Sequence, residues 1–242
     1  MNLRSFHLGS ALPLAALAAS LAAAGCAPPA PAGPTPAGVS LDSLYRLAIS
    51  DAAVYRAEHV LPLNAAVADA AGNVRVVTFT SWGGYIAGTD TITRDVWVTL
   101  VPEVRDSCSG FGDDLRLRLN QMLGLPPNAG DTLMVEMTVP LGAIFRPVAD
   151  PAPTTRYPCG DTIQPGCGES FPDGVSPAHV RFIAEQFLTR WEVPGGYPWT
   201  RLGYTYNWHP GSPRYGASEY LVRAGTVATG VAVQPVRAYC TR

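Results

Sequence analysis

The chain contains no lysine; all 17 of its basic residues are arginine. This excludes every mechanism built on a lysine amine: a Schiff base, a P-loop phosphate lysine, a Ser-x-x-Lys nucleophile pair. Charge of either sign is scarce, at 15% of 242 residues, and nearly balanced at −2. A nucleic-acid partner would call for a basic excess on one face, so none is expected. Catalytic signatures are also missing. Gly168-Glu169-Ser170-Phe171-Pro172 starts like Gly-x-Ser-x-Gly but lacks the second glycine and a preceding strand. Gly216-Ala217-Ser218-Glu219-Tyr220 fails in the same way, and Gly110-Phe111-Gly112 opens a dinucleotide fingerprint without completing it. There is no His-Glu-x-x-His and no Cys-x-x-Cys, so neither a cofactor nor a metal is expected.

The chain does hold enough apolar material for a core, 47% of its residues. Glycine and proline number 24 and 23, about a fifth of the chain. That stays below the roughly 25–30% at which such composition signals disorder. Met1 to Gly25 reads as an export signal: Arg4 supplies the positive start and Leu8 to Ala24 an apolar run too short for a good spanning helix. The run ends in Ala23-Ala24-Gly25-Cys26, which resembles the lipobox of bacterial lipoproteins. The departure is Ala23, where that class most often has leucine. The resemblance implies cleavage before Cys26, acylation of its thiol, and a membrane partner through the lipid. Each buried methylene adds about 0.8 kcal/mol, so two or three acyl chains anchor a protein firmly. Loss of Arg4 with the leader takes the formal charge from −2 to −3. Ala27 is not aspartate, which by the enterobacterial sorting pattern points to the outer membrane. Residues 26–38 form the lipidated cysteine and a tether with Pro28, Pro29, Pro31, Pro34 and Pro36, reaching roughly 35 Å.

Cys108, Cys159, Cys167 and Cys240 remain, and in an exported chain four cysteines suggest two disulfides with three possible pairings. Cys159 and Cys167 flank a short loop, so a local bridge is the simplest pairing, leaving Cys108 for Cys240. Residues 39–242 read as one α+β domain, a mainly antiparallel sheet with two or three packed helices. Ser40 can cap a helix running to about His59. Val74 to Thr80, Val96 to Val101 and Thr132 to Val139 read as strands, the second of them central. Gly83, Gly84 and Gly88 mark a flexible connection. Asp113 to Leu123 fits a helix or a strand; its flanking aspartates and Gly124 favour the helix. Asp150 to Gly174 reads as a long stapled loop, of a length often functional. Ser176-Pro177 opens the clearest helix, with Val180, Ile183, Ala184, Phe187, Leu188 and Trp191 at helical spacing. Further strands are expected near Arg201–Asn207, Glu219–Arg223 and Val227–Val233.

The densest chemistry lies between Tyr197 and Tyr220, with seven aromatics in 24 residues. On a strand, Tyr204, Tyr206 and Trp208 share one face, and Arg201, Thr205, Asn207 and His209 the other. Aromatic faces stack on sugars or peptide groups while Arg201 and Asn207 orient them, so this stretch is the expected ligand-binding region. Peptidoglycan, a glycan or an envelope protein are the partners that fit. A sheet face packed on the helix of Val180–Trp191 accounts for the same aromatics. His209 in a turn suits a general base, with Glu219 or Asp161 as its acidic partner. His179 and His59 read as solvated. Asp150, Asp161 and Asp173 match no calcium loop, and Arg94, Arg116, Arg118 and Arg146 read as exposed charges or ordinary ion pairs. The expected function is therefore a lipid-anchored envelope protein acting as a binding or interaction module. The alternatives are an envelope hydrolase using His209, and a purely structural lipoprotein.

Overall fold

The computed structural model describes residues 38–241. The expected leader, Cys26 and the tether up to residue 37 lie outside the described residues. Helix α1 (Leu41–Ala52) starts as expected on Ser40, whose Oγ accepts the Ser43 amide at 3.1 Å. It stops at Ala52 rather than near His59. Val54 and Tyr55, β-branched and aromatic, lose side-chain freedom in a helix. A short 3-10 turn at Ala57–His59 follows instead.

Strands β1 (Asn73–Thr80), β2 (Gly88–Thr91), β3 (Val96–Leu100), β4 (Leu133–Pro140) and β5 (Ile144–Phe145) are interleaved with helices α2 (Glu103–Cys108) and α3 (Leu115–Met122). Helix α4 (Pro177–Thr189) follows the long loop. Strands β6 (Tyr204–Tyr206), β7 (Tyr215–Ser218), β8 (Tyr220–Val222) and β9 (Val227–Pro235) then lead to α5 (Val236–Cys240). Seven strands form one antiparallel sheet in the order β2-β9-β4-β1-β3-β8-β5, while β6 and β7 make a separate ribbon. The fold is thus α+β with five α-helices among the described residues, two of them (α2 and α5) too short to leave a periodic signal. Part of the glycine-marked connection is strand β2, on the sheet edge.

Both faces of the sheet are covered, which explains why the central strands carry apolar residues on both sides. Val76, Val98, Leu100, Val135, Met137, Tyr220 and Val222 share one core with Ala66 and Ile92. Val77 and Met134 face the other way, onto Val104, Leu115, Leu119, Met122 and Tyr239 from α2, α3 and α5. Burial of each such side chain is worth about 1.5–3 kcal/mol. Cys108 pairs with Cys240 inside this second core, joining α2 to α5 with a Cα–Cα distance of 5.4 Å. Cys159 pairs with Cys167 and staples the loop of residues 150–174, which holds no helix or strand.

Three expectations about side chains are corrected. Helix α4 buries His179, Ile183 and Gln186, a row rotated from the apolar stripe; Ala184 and Leu188 face outward, Leu188 being 75% exposed. His179 is not solvated: its Nε2 meets the Val148 carbonyl at 2.7 Å and its ring packs edge-on against Phe145. Burial holds its imidazole below the usual histidine pKa. Arg146 is not an exposed charge either. It is 0% exposed, lies 4.5 Å over the Tyr220 ring, and donates Nη2 to the carbonyls of Asn64 (2.7 Å) and Thr155 (3.3 Å).

Candidate functional site: an aromatic cavity beside a split in the sheet

Strands β1 and β3 are paired in register only at Val76↔Leu100 and Val77↔Thr99. Beyond that point β1 continues its ladder with β4 as far as Thr80↔Leu133, and β3 pairs with β8 from Val98↔Tyr220 to Val96↔Val222. The two strand ends therefore part, and a cavity of about 450 Å³ opens beside them. Residues of both sheet faces line it: Thr78, Thr80 and Val98 from one, Val77, Phe79, Trp97 and Thr99 from the other. Leu123, Gly124 and Leu125, at the end of α3, and Tyr197, Pro198 and Trp199 complete the wall. Its size is that of a small-molecule site.

Helix α4 and the turn after it set the aromatic wall. Gly196 donates its amide to the Glu192 carbonyl at 2.6 Å, and the Tyr197 amide returns to the Arg190 carbonyl at 2.5 Å. A Cβ on residue 196 would lie 2.3 Å from that carbonyl oxygen, so only glycine permits this reversal. It folds Tyr197 back against Arg190, whose guanidinium lies 5.4 Å from the Tyr197 ring and 5.0 Å from Trp97. Arg190 Nε donates to Gln186 Oε1 at 2.6 Å, which fixes the stem. Trp199 stacks on Trp191 at 5.6 Å and meets Phe187 edge-on at 5.4 Å.

Polar groups stand on this apolar wall. Arg94, Asp95 and Tyr197 are exposed at the rim, while Thr99, Trp199 and Glu219 are buried. Glu219, 9% exposed, sits between β7 and β8, its amide bound to the Gly203 carbonyl at 3.0 Å. Burial pushes its carboxyl up to about 8, against the opposing pull of Arg190, so at neutral pH it is mostly the uncharged acid. Glu219 Oε2, Thr99 Oγ1 and Trp199 Nε1 are all buried without a hydrogen-bond partner. Each such atom costs about 1–3 kcal/mol, and all three belong to residues that line the cavity. Together they offer an acid O–H, a hydroxyl and an indole N–H.

The residues expected to bind ligand are divided by the fold. Tyr206 lines the cavity, but its phenol donates to Asp51 at 2.7 Å, where Arg56 and Arg214 also pair. Tyr204 and Trp208 are buried, their polar atoms given to the carbonyls of His59 (2.8 Å) and Leu125 (2.9 Å). Tyr206 and Trp208 pack on α1, through Tyr45, Ala48 and Ile49, rather than on α4. Arg201 is buried over Trp191 at 4.9 Å and holds the Ala53 carbonyl at 2.8 Å. Asn207 Oδ1 accepts the His209 amide at 3.2 Å. His209 meets Ser212 Oγ at 3.2 Å and accepts the Gly211 amide at 3.1 Å, with no carboxylate bonded to it. Burial and nearby Arg118 lower its pKa. Asp161 accepts the Arg156 amide within the stapled loop. The structure thus does not join His209 to Glu219, which stands on the cavity without it. Trp97, Thr99, Arg190 and Trp199 carry no sequence motif; only the aromatic density near Trp199 hinted at them. Among the described residues no cluster of His, Cys, Asp and Glu is placed to hold a metal ion. No protein-family model, curated protein or solved structure matches this chain.

Proposed function

We propose that this is a lipid-anchored envelope protein whose folded part is a binding module, capturing a small envelope-derived ligand in the cavity between β1 and β3. One observation carries the reading: a 450 Å³ aromatic cavity, three of whose lining residues carry a buried polar atom without a partner. The Ala23-Ala24-Gly25-Cys26 segment supports the anchor, and the proline-rich stretch supports a spacer between membrane and domain. Binding is favoured over hydrolysis because the base expected for the latter, His209, bonds no carboxylate.

The test uses the full chain, processed in a bacterial host and reconstituted in lipid nanodiscs. Titration with soluble peptidoglycan fragments should give a saturable change in tryptophan fluorescence. Tyr197→Ala should weaken it at least about tenfold, the loss of one good stacking contact. Intact mass should show acylated Cys26. Absence of any saturable response to fragments or to a soluble envelope extract would remove the binding reading. An unmodified Cys26 would remove the anchor.

A further inference from the structure

Resting on that reading, we infer that the ligand of the cavity is a small amphiphilic carboxylate, its anionic head held by Arg190, Trp199, Thr99 and Glu219 and its apolar body against Trp97 and Tyr197. The charges lining the cavity favour an anion. Arg94 and Arg190 stand against Asp95, whose Oδ1 already accepts the Ala224 amide at 2.8 Å. Burial keeps Glu219 mostly un-ionised at neutral pH, so it opposes an anion only weakly. The unsatisfied groups are donors or can donate. An indole N–H has no other capacity, a threonine hydroxyl can turn, and an un-ionised carboxyl offers O–H. Gln186 takes only Nε of Arg190, leaving the forked end whose geometry matches a carboxylate. A cationic ligand would use aromatic walls equally well. Here, however, a guanidinium already lies against Trp97 and Tyr197 and would repel it.

Glu219 makes the inference testable by its sign. An acid O–H donates to the ligand carboxylate, whereas an ionised Glu219 would repel it. Binding should therefore hold on the acid side and weaken as pH rises through about 8. The other titratable or charged groups on the cavity are Tyr85, Arg94, Asp95, Arg190, Tyr197 and Tyr206. Glu219→Gln separates its share of the profile from theirs.

The experiment titrates the nanodisc-held full chain with 3-phenylpropanoate, 3-phenylpropanamide and 3-phenylpropylamine, read by tryptophan fluorescence and calorimetry. The carboxylate should bind at least about tenfold more tightly than the other two at pH 6. Glu219→Gln should flatten the fall above pH 8. Arg190→Gln should lose roughly tenfold, and Arg190→Lys should recover part of it. Equal or tighter binding of the amine or amide, or affinity that rises with pH, overturns the carboxylate while sparing the cavity reading. Failure of all three probes at millimolar concentration, with folding intact by circular dichroism, overturns both.

Discussion

At the scale of single residues, Glu219 ties stability to pH. Its folded-state pKa of about 8 stands above the ordinary value of 4.5. A raised acid favours folding fully below 4.5 and loses that contribution as pH climbs through about 8, because only the unfolded chain releases the proton. The expected slope is about 1.4 kcal/mol per pH unit across that window. Denaturant midpoints measured from pH 4.5 to 8 should fall for the native chain and stay flatter for Glu219→Gln. Parallel curves would show that the group is solvated. None of this could be read from the sequence, where Glu219 was one candidate partner for His209. Burial is a property of what surrounds a residue, and its neighbours Trp97, Thr99 and Arg190 come from distant parts of the chain. Arg146 makes the same point. Its seat over Tyr220, with carbonyls from Asn64 and Thr155, is assembled from three separate stretches.

At the scale of elements, local signals worked where they were strong. Ser40 and Ser176 cap their helices, and the β-branched runs of β1, β3 and β4 are strands. Helix α4 shows where local signals stop. Its apolar stripe is adjacent to the row that is buried, and a period of 3.6 alone cannot choose between neighbouring rows when His179 and Gln186 find hydrogen bonds inside. The β6–β7 ribbon shows the opposite case, a short pairing fixed by close approach. A Cβ on Gly216 would stand 2.0 Å from the Met122 carbonyl oxygen and 2.4 Å from Thr205 Oγ1. Gly216→Ala should therefore cost about 1–3 kcal/mol in chemical denaturation. Gly130→Ala, with nothing within 4 Å of its Cβ, should stay near neutral. Equal effects would mean that the ribbon shifts freely away from α3.

At the scale of the whole molecule, the two disulfides constrain very different lengths of chain. Cys108–Cys240 spans 132 residues and Cys159–Cys167 spans 8. In the chain-entropy picture these closures contribute about 5 and about 2.5 kcal/mol. Replacing Cys108 and Cys240 by serine should lower stability by roughly twice as much as replacing Cys159 and Cys167, measured by urea unfolding. Similar losses would place the effect in local packing instead. The pairing was legible from the spacing of the four cysteines and the expectation of export, whereas the cavity was not, because it arises where two strands stop pairing. That short seam has one more consequence. It leaves the sheet as two rafts, β2-β9-β4-β1 and β3-β8-β5, stitched by two residue pairs. A molecule lodged in the gap would touch both rafts at once, as a rivet does, so occupancy and the rigidity of the sheet would rise and fall together.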